Sequence, residues 1–233
     1  MGLYDRNYIQ DRTQEQSYEQ TQSKSSLAVF IKQTYQLFAA SLLAATAGAY
    51  VGLGMAAAVA SFYFGFVILE FALLFGLYAA KKKAGLNLIL LFGFTFVSGL
   101  TLAPLLTHIL GLAGGAGIIA NAFMLTTVAF GGLSMFAMNT KRDFSAMGKM
   151  LFITLIVVVV ASLLNIFFHS PLMQLVIASV SSILFSAFIL YDTQNIIKGR
   201  YETPIEAAIA LYLDFLNLFI SLLQILGIFG RDE

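Results

Sequence analysis

The fold depends on Leu211-Tyr212-Leu213-Asp214-Phe215-Leu216-Asn217-Leu218-Phe219, a segment of the last apolar run of the chain, Ile205 to Phe229. The run is apolar enough to lie in a lipid bilayer, yet polar and small residues recur in it at alternating intervals of three and four positions. This spacing places them on one face of a helix: Ala207, Ala210, Asp214, Asn217, Ser221 and Gln224. Because an ionised carboxylate costs about 3 kcal/mol or more at the centre of a membrane, we expect this polar face to contact protein or water.

The composition of the whole chain is that of an integral membrane protein. Of its 233 residues, 59% are hydrophobic and only 11% are charged, and long apolar runs recur along nearly the whole length. The sequence contains no Cys, which excludes disulfides, thiolate nucleophiles and Cys-ligated metals. With a formal net charge of +1 and no basic groove pattern, we expect a lipid bilayer rather than nucleic acid as the partner.

The apolar runs predict an all-α polytopic protein with seven transmembrane helices, because about 20 apolar residues cross the hydrocarbon core. Turns rich in Gly, Lys or Pro separate the runs, and Pro104 is expected to kink the third of them. The predicted spans lie near Ala28–Tyr50, Ala56–Ala80, Gly85–Leu110, Gly117–Met138, Met147–Phe168, Leu172–Ile196 and Ile205–Phe229.

The start of the chain differs from the rest. Residues 1–26 are polar and rich in Gln, Ser and Tyr, and they lack the apolar stretch of a cleaved signal peptide. We predict that residues 1–26 form a disordered or loosely attached tail, and that residues 27–233 form one transmembrane domain.

The basic residues predict the orientation in the membrane. If the N-terminus is inside, the three outside loops contain no Lys or Arg, as the positive-inside rule expects. With seven spans the C-terminus is then outside; a six-span alternative, in which the last segment is re-entrant, returns it inside. With the N-terminus inside, the inside segments and the span ends beside them hold all the basic residues except Arg231. These are Arg6, Arg12, Lys24, Lys32, Lys81, Lys82, Lys83, Lys141, Arg142, Lys149, Lys198 and Arg200.

Three carboxylates lie well inside predicted spans: Glu70, Asp192 and Asp214. Asp192 and Asp214 are each 11 residues from Thr203 in the loop between them, so two antiparallel helices bring them to a similar depth. Glu70, 11 residues before Lys81, is expected at a comparable height. We expect the two aspartates to pack together, share a proton and titrate as a pair, or to recruit a hard cation such as Ca²⁺. The alternative is that all three acids are hydrogen-bonded anchors between helices.

Other polar side chains have two readings each. Lys81, Lys82 and Lys83 either supply a counter-charge to the aspartates or only fix the topology at the lipid headgroups. Tyr191 and Tyr212 either hydrogen-bond to the aspartate pair or pack as core residues. The two histidines, His108 and His169, lie at outer span ends without a second ligand at metal spacing, so no metal site is expected there.

Several segments resemble the Bax inhibitor family (transmembrane Bax inhibitor motif proteins). The most specific match is the Leu211–Phe219 segment, and weaker matches are Tyr191-Asp192-Thr193-Gln194, Phe96-Val97-Ser98-Gly99-Leu100-Thr101, Leu69-Glu70 and Lys141-Arg142-Asp143. The resemblance runs from about Leu27 to the end, and the short Gln-rich tail is similar to that of a bacterial member. It implies a bacterial cytoplasmic (inner) membrane location and a seven-helix fold whose last helix is surrounded by the other six.

The resemblance also implies a function, a pH-sensitive Ca²⁺ leak. Asp192 and Asp214 match the family's titrating gate and would hold Ca²⁺ transiently, while Glu70 and Asn217 would line the cation path. Family members with this mechanism have an Arg latch at the inside end of the second span. This chain has Lys81 to Lys83 there, and Lys cannot form the bidentate pair that Arg forms with a carboxylate.

Three other functions compete with the leak. An intramembrane aspartyl protease would need glycines before the second aspartate, but positions 211 and 213 are Leu, so we expect no enzyme and no resident cofactor. A non-transporting protein that regulates a membrane protease or stress response through a membrane-protein partner would tolerate loss of both aspartates. An ion–proton antiporter would use the same acids as a leak and differ in coupling.

Overall fold

A computed structural model describes the backbone of residues 3–230 and the side chains of residues 24–230. The described chain is helical, without strands, and a 3-10 turn at Ser145–Met147 precedes its seventh α-helix. The nine α-helices are α1 (Leu3–Gly54), α2 (Ala56–Ser61), α3 (Tyr63–Ala80), α4 (Leu86–Thr101), α5 (Ala103–Leu110), α6 (Gly115–Asn139), α7 (Gly148–Phe168), α8 (Pro171–Ile197) and α9 (Pro204–Phe229).

Seven helical segments of the described chain are long and apolar enough to cross a membrane, which confirms the predicted all-α, seven-helix fold. The third span bends where α4 passes into α5, at Leu102, two residues before Pro104. The spans are Lys24–Gly54, Tyr63–Ala80, Leu86–Leu110, Gly115–Asn139, Ser145–Phe168, Pro171–Ile197 and Pro204–Phe229.

The predicted boundary between a polar tail and the membrane domain is not tested and stays a prediction. The backbone helix α1 begins at Leu3, but the side chains before Lys24 and residues 231–233 lie outside the described part.

The last helix, α9, is the most buried of the seven spans, because half of the residues in its most apolar stretch are buried in the protein. It packs mainly against α1, α6 and α8, with a smaller contact to α4. The second span, α3, packs chiefly on α4, and α7 packs chiefly on α8. The last helix therefore packs within the bundle, but the expectation that all six other spans surround this helix is not confirmed.

Aromatic packing joins three of these helices near their middle. Phe38 of α1 stacks on Phe130 of α6 with ring centroids 4.8 Å apart, and Phe215 of α9 lies edge-on to Phe130 at 5.6 Å. Such pairs each contribute about 1 kcal/mol beyond the area they bury. This cluster fixes the rotation of α9, so that Asp214, one residue before Phe215, points towards α8.

The three loops predicted to lie inside are held together at one end of the bundle, which we call the charged end. Lys81 Nζ lies 3.1 Å from Glu206 Oε1, and Lys82 Nζ lies 2.9 Å from Glu202 Oε2. The Lys198 ammonium lies 2.6 Å from Asp143 Oδ1. Loops that share ion pairs must share a membrane face, so the alternation of the spans agrees with the predicted topology.

Candidate functional site

The aspartate pair, Asp192 of α8 and Asp214 of α9, forms the most unusual polar site within the spans. Only 6% and 4% of these residues are exposed, and both line the same cavity between their helices. A hydrogen bond between two carboxyl groups requires a proton on one of them. Within residues 24–230, the Oδ2 atom of Asp214 is buried without a hydrogen-bond partner.

A tyrosine from the charged end completes the pair. Tyr201, in the loop between α8 and α9, donates a hydrogen bond of 2.7 Å from its phenol to Asp192 Oδ1. Burial and the nearby Asp192 carboxylate raise the pKa of Tyr201 well above its ordinary value. The phenol therefore remains a proton donor throughout the physiological pH range.

Asp192 belongs to a row of four buried polar residues at the end of α8, each directed at a different neighbour. Thr193 Oγ1 donates to Ser134 Oγ of α6 at 3.3 Å. Gln194 accepts from the Phe144 backbone N–H at 2.7 Å and donates to the Arg142 carbonyl at 2.6 Å, which secures the loop before α7. Asn195 accepts from Arg200 in the next loop. The row holds the end of α8 in one position and so fixes where Asp192 meets α9.

The pair lines a cavity of about 630 Å³ between α7, α8 and α9. Asn217, Ser221 and Gln224 continue along its α9 wall, one turn at a time from Asp214. The side chains of Asn217 and Ser221 donate hydrogen bonds to the backbone carbonyls four residues earlier in α9, at 2.7 and 2.6 Å. The polar face read from the sequence is thus the polar wall of this cavity.

Glu70 is not brought to the aspartate pair, in contrast to the expected common height. Its carboxylate accepts a hydrogen bond from Thr101, at the far end of α4. Tyr78, eight residues later on α3, is the residue of that helix that lines the cavity. Asp192 is only five residues from the end of α8 and is reached by Tyr201 from the loop, so the pair lies nearer the charged end than Glu70 does.

The lysines at the inside end of the second span contact glutamates instead of aspartates. Lys81 bridges Glu202 and Glu206 at 3.3 and 3.1 Å, and Lys82 also contacts Glu202. The two lysines lower the pKa of Glu202. In the described part of the chain Lys83 makes no such ion pair, so a direct link between these lysines and the aspartates is not formed.

Comparison with known proteins places the chain in a family. Residues 27–231 match the family described as "Inhibitor of apoptosis-promoting Bax1". The chain belongs to the Bax inhibitor family. Among its relatives in the family, a Campylobacter jejuni protein is 62% identical over 99% of both chains. A membrane protein of Vibrio cholerae is 38% identical over 87% of this chain and 91% of its own length. The Golgi anti-apoptotic protein of Vaccinia virus strain Lister is 39% identical over 68% of this chain and 65% of its own.

The residues that resemble the Bax inhibitor family include both aspartates, and the structure brings these two together. The two tyrosines considered from the sequence do not reach them. Tyr212 hydrogen-bonds to Ser98, with the oxygens 2.5 Å apart, and the Tyr191 ring lies against Gly148. Tyr201 takes that role instead. Its only signal in the sequence is its position in the short loop that joins the two aspartate helices.

Within residues 24–230, no group of three or more His, Asp or Glu side chains is placed to hold a metal ion. The aspartate pair offers two carboxylates, whereas a stable Ca²⁺ site uses six to eight oxygen ligands. Two carboxylates can supply only part of this ligand set, so a cation at the pair would have to keep part of its water shell.

Proposed function

We propose that this Bax inhibitor family protein is a Ca²⁺-permeable leak channel whose conduction depends on protonation of Asp192 and Asp214. The observation that carries the proposal is the burial of these two carboxylates, from neighbouring helices α8 and α9, at one cavity inside the membrane spans. Ionisable residues inside membrane spans mark ion or proton pathways more often than they serve as packing residues.

The proposed gate follows from the charge of the pair. With one proton shared, a hydrogen bond between the carboxyl groups holds α8 to α9. With both groups ionised, mutual repulsion favours separation of the helices, and a divalent cation is attracted between them. Low pH therefore closes the proposed leak and higher pH opens it.

The proposed cation path uses the cavity wall beyond the pair. Asn217 lies one turn from Asp214 and offers its side-chain oxygen to the cavity, because its amide nitrogen donates to Leu213. Glu70 does not line this cavity, so we assign it a separate role in joining α3 to α4 through Thr101. The link of Lys81 and Lys82 to Glu202 and Glu206 is the proposed equivalent of the latch.

The location and orientation are also proposed. The bacterial relatives support the cytoplasmic membrane, and the basic residues at the charged end support an inside position for that end. We propose neither an enzymatic activity nor a resident cofactor, and we treat Ca²⁺ and H⁺ as the transported or gating ions.

The test is Ca²⁺ flux into proteoliposomes, measured from about pH 6 to 8, the range in which a proton-sharing carboxylate pair can titrate. The wild type is expected to carry more Ca²⁺ as the pH rises. Asp192→Asn and Asp214→Asn are expected to abolish this pH dependence. Asp143→Asn is the matched control, because it neutralises an exposed aspartate of a loop without altering the pair.

Three results separate the candidates. No flux above empty liposomes from folded wild-type protein rejects the leak and favours the partner-binding function. Flux that stays pH-dependent in both aspartate variants rejects the gate. Ca²⁺ entry that requires an opposite proton gradient identifies an antiporter.

A further inference from the structure

The cavity between α7, α8 and α9 has walls that are mostly apolar. Besides the polar wall of α9, it is lined by Val158 and Leu163 of α7 and by Phe185 and Phe188 of α8. Its volume of about 630 Å³ lies within the range of small-molecule sites, which run from roughly 300 to 1,000 Å³. The apolar walls of α7 and α8 suit an apolar chain, whereas the polar wall of α9 suits ions and polar groups.

Part of the cavity lining lies exposed on the side of the bundle. Three lining residues on α7 remain half exposed: Val159 at 49%, Leu163 at 55% and Ile166 at 51%. Since α7 packs chiefly on α8, its other side leaves this entrance between α7 and α9. At the depth of a membrane span the surrounding medium is hydrocarbon, so a ligand enters from the lipid.

The inner part of the cavity ends at the aspartate pair, where one carboxylate oxygen of Asp214 has no hydrogen-bond partner among the described residues. Asp214 is 4% exposed, lines the cavity, and keeps Oδ2 without a hydrogen bond among the described residues. A buried carboxylate oxygen without a hydrogen bond is unfavourable, so a ligand that donates hydrogen bonds to the Asp214 carboxylate is favoured at this end of the cavity. None of the ion pairs in the described chain supplies a Lys or Arg to either aspartate.

We propose that this cavity binds a lipophilic amine, with its ammonium group at Asp192 and Asp214 and its alkyl chain along the α7 wall. An ammonium has three N–H donors, and the cavity offers oxygens of both aspartates and of Tyr78 and Tyr201. A fatty acid of equal length would bring a second negative charge, and an alcohol would leave the pair without a counter-charge. This inference concerns binding and does not depend on Ca²⁺ conduction.

The chain contains no Trp, so one introduced Trp reports from a single known place. Leu163→Trp puts the indole at the cavity rim. Leu164→Trp is the matched control, because Leu164 is the next residue of α7, is 47% exposed, and does not line the cavity. Both variants are placed in phosphatidylcholine vesicles and titrated with ω-bromododecylamine, whose bromine quenches Trp fluorescence on contact.

The amine is expected to quench Leu163→Trp at about a tenfold lower mole fraction than Leu164→Trp, which corresponds to about 1.4 kcal/mol. ω-Bromododecanol partitions into the same vesicles and is expected to quench both positions equally. Adding Asp214→Asn to Leu163→Trp is expected to remove the preference for the amine.

Equal quenching of the two positions by the amine overturns the proposal. An equal preference of the amine, the alcohol and a brominated phosphatidylcholine for Leu163→Trp identifies a lipid acyl slot and also overturns it. If the Asp214→Asn variant does not fold, the comparison of amine with alcohol on the unaltered pair still decides the question. A negative flux result together with the expected quenching would reject the channel and leave the amine site in place.

Discussion

At the scale of single residues, Gly99 sets how closely α1 and α4 approach. A Cβ atom at Gly99 would lie 1.9 Å from the Ala45 carbonyl oxygen, and a Cβ at Gly48 would lie 1.9 Å from the Phe96 carbonyl oxygen. The two glycines thus seat each helix against the backbone of the other. Small residues permit such close packing of membrane helices, where van der Waals contact replaces the hydrophobic driving force.

We predict that Gly99→Ala lowers the free energy of unfolding by about 1–3 kcal/mol, because the helices must separate to admit one methyl group. Denaturation of the purified protein in detergent measures the change. Gly93→Ala on the same helix is the control, since its Cβ would lie 3.8 Å from a Leu73 methyl carbon, an ordinary contact. Equal stability of the two variants would contradict the close approach of α1 and α4.

The site residues differ in how far the sequence could reveal them. Asp192 and Asp214 were predictable as a pair, because helical spacing from a shared loop fixes their depth and a lone carboxylate is costly in lipid. The role of Tyr201 could not be predicted, because loop residues follow no regular period that would indicate the direction of their side chains. The partners of Lys81 were missed for a related reason. A lysine side chain is flexible and forms an ion pair with whichever acid lies nearest, here Glu206 in the first turn of α9.

At the scale of helices and loops, the ion pair of Lys198 with Asp143 joins the end of α8 to the loop before α7. The Lys198 ammonium and hydrogen bonds from Ser145 hold the pKa of Asp143 well below its ordinary value of 3.8. A lowered pKa in the folded state stabilises the protein above the unfolded-state pKa. This contribution disappears as the pH falls towards the folded-state value.

We predict that wild type has a higher Tm than Asp143→Asn at pH 6 and that the difference shrinks as the pH falls below about 4. Thermal unfolding of both proteins across this range measures it. Lys198→Met should produce the same pattern, because it removes the other half of the pair. A Tm difference that is independent of pH would contradict the lowered pKa of Asp143 in the folded protein.

The helices themselves were largely predictable, and the exceptions have physical causes. Apolar length and the punctuating Gly, Lys and Pro residues predicted all seven spans, and Pro104 predicted the bend of the third. The break between α2 and α3 at Phe62 was not anticipated, since that region is mostly apolar and contains no proline. Composition alone cannot place a break of this kind.

At the scale of the whole molecule, the prediction concerns which face of the membrane holds the charged end. The chain has no Cys, so Lys83→Cys and Ala113→Cys each introduce the sole thiol, at opposite ends of the bundle. We predict that a membrane-impermeant maleimide labels Ala113→Cys in intact spheroplasts and labels Lys83→Cys only after permeabilisation.

A membrane-permeant maleimide is the control and should label both positions without permeabilisation. Labelling of Lys83→Cys alone in intact spheroplasts would reverse the orientation. It would also place the aspartate pair, which lies near the charged end, closer to the other face of the membrane.

The burial of α9 has a consequence for how the protein is made. This helix follows the other six spans in the chain, so its neighbours α1, α6 and α8 are synthesised before the helix that fills the space between them. Until α9 arrives, Asp192 faces an incomplete assembly, and exposure of Asp214 to lipid is unfavourable for α9. We therefore expect the pairing of the two aspartates to accompany the final step of membrane insertion, and a nascent chain that stalls before this step to leave Asp192 without its partner helix.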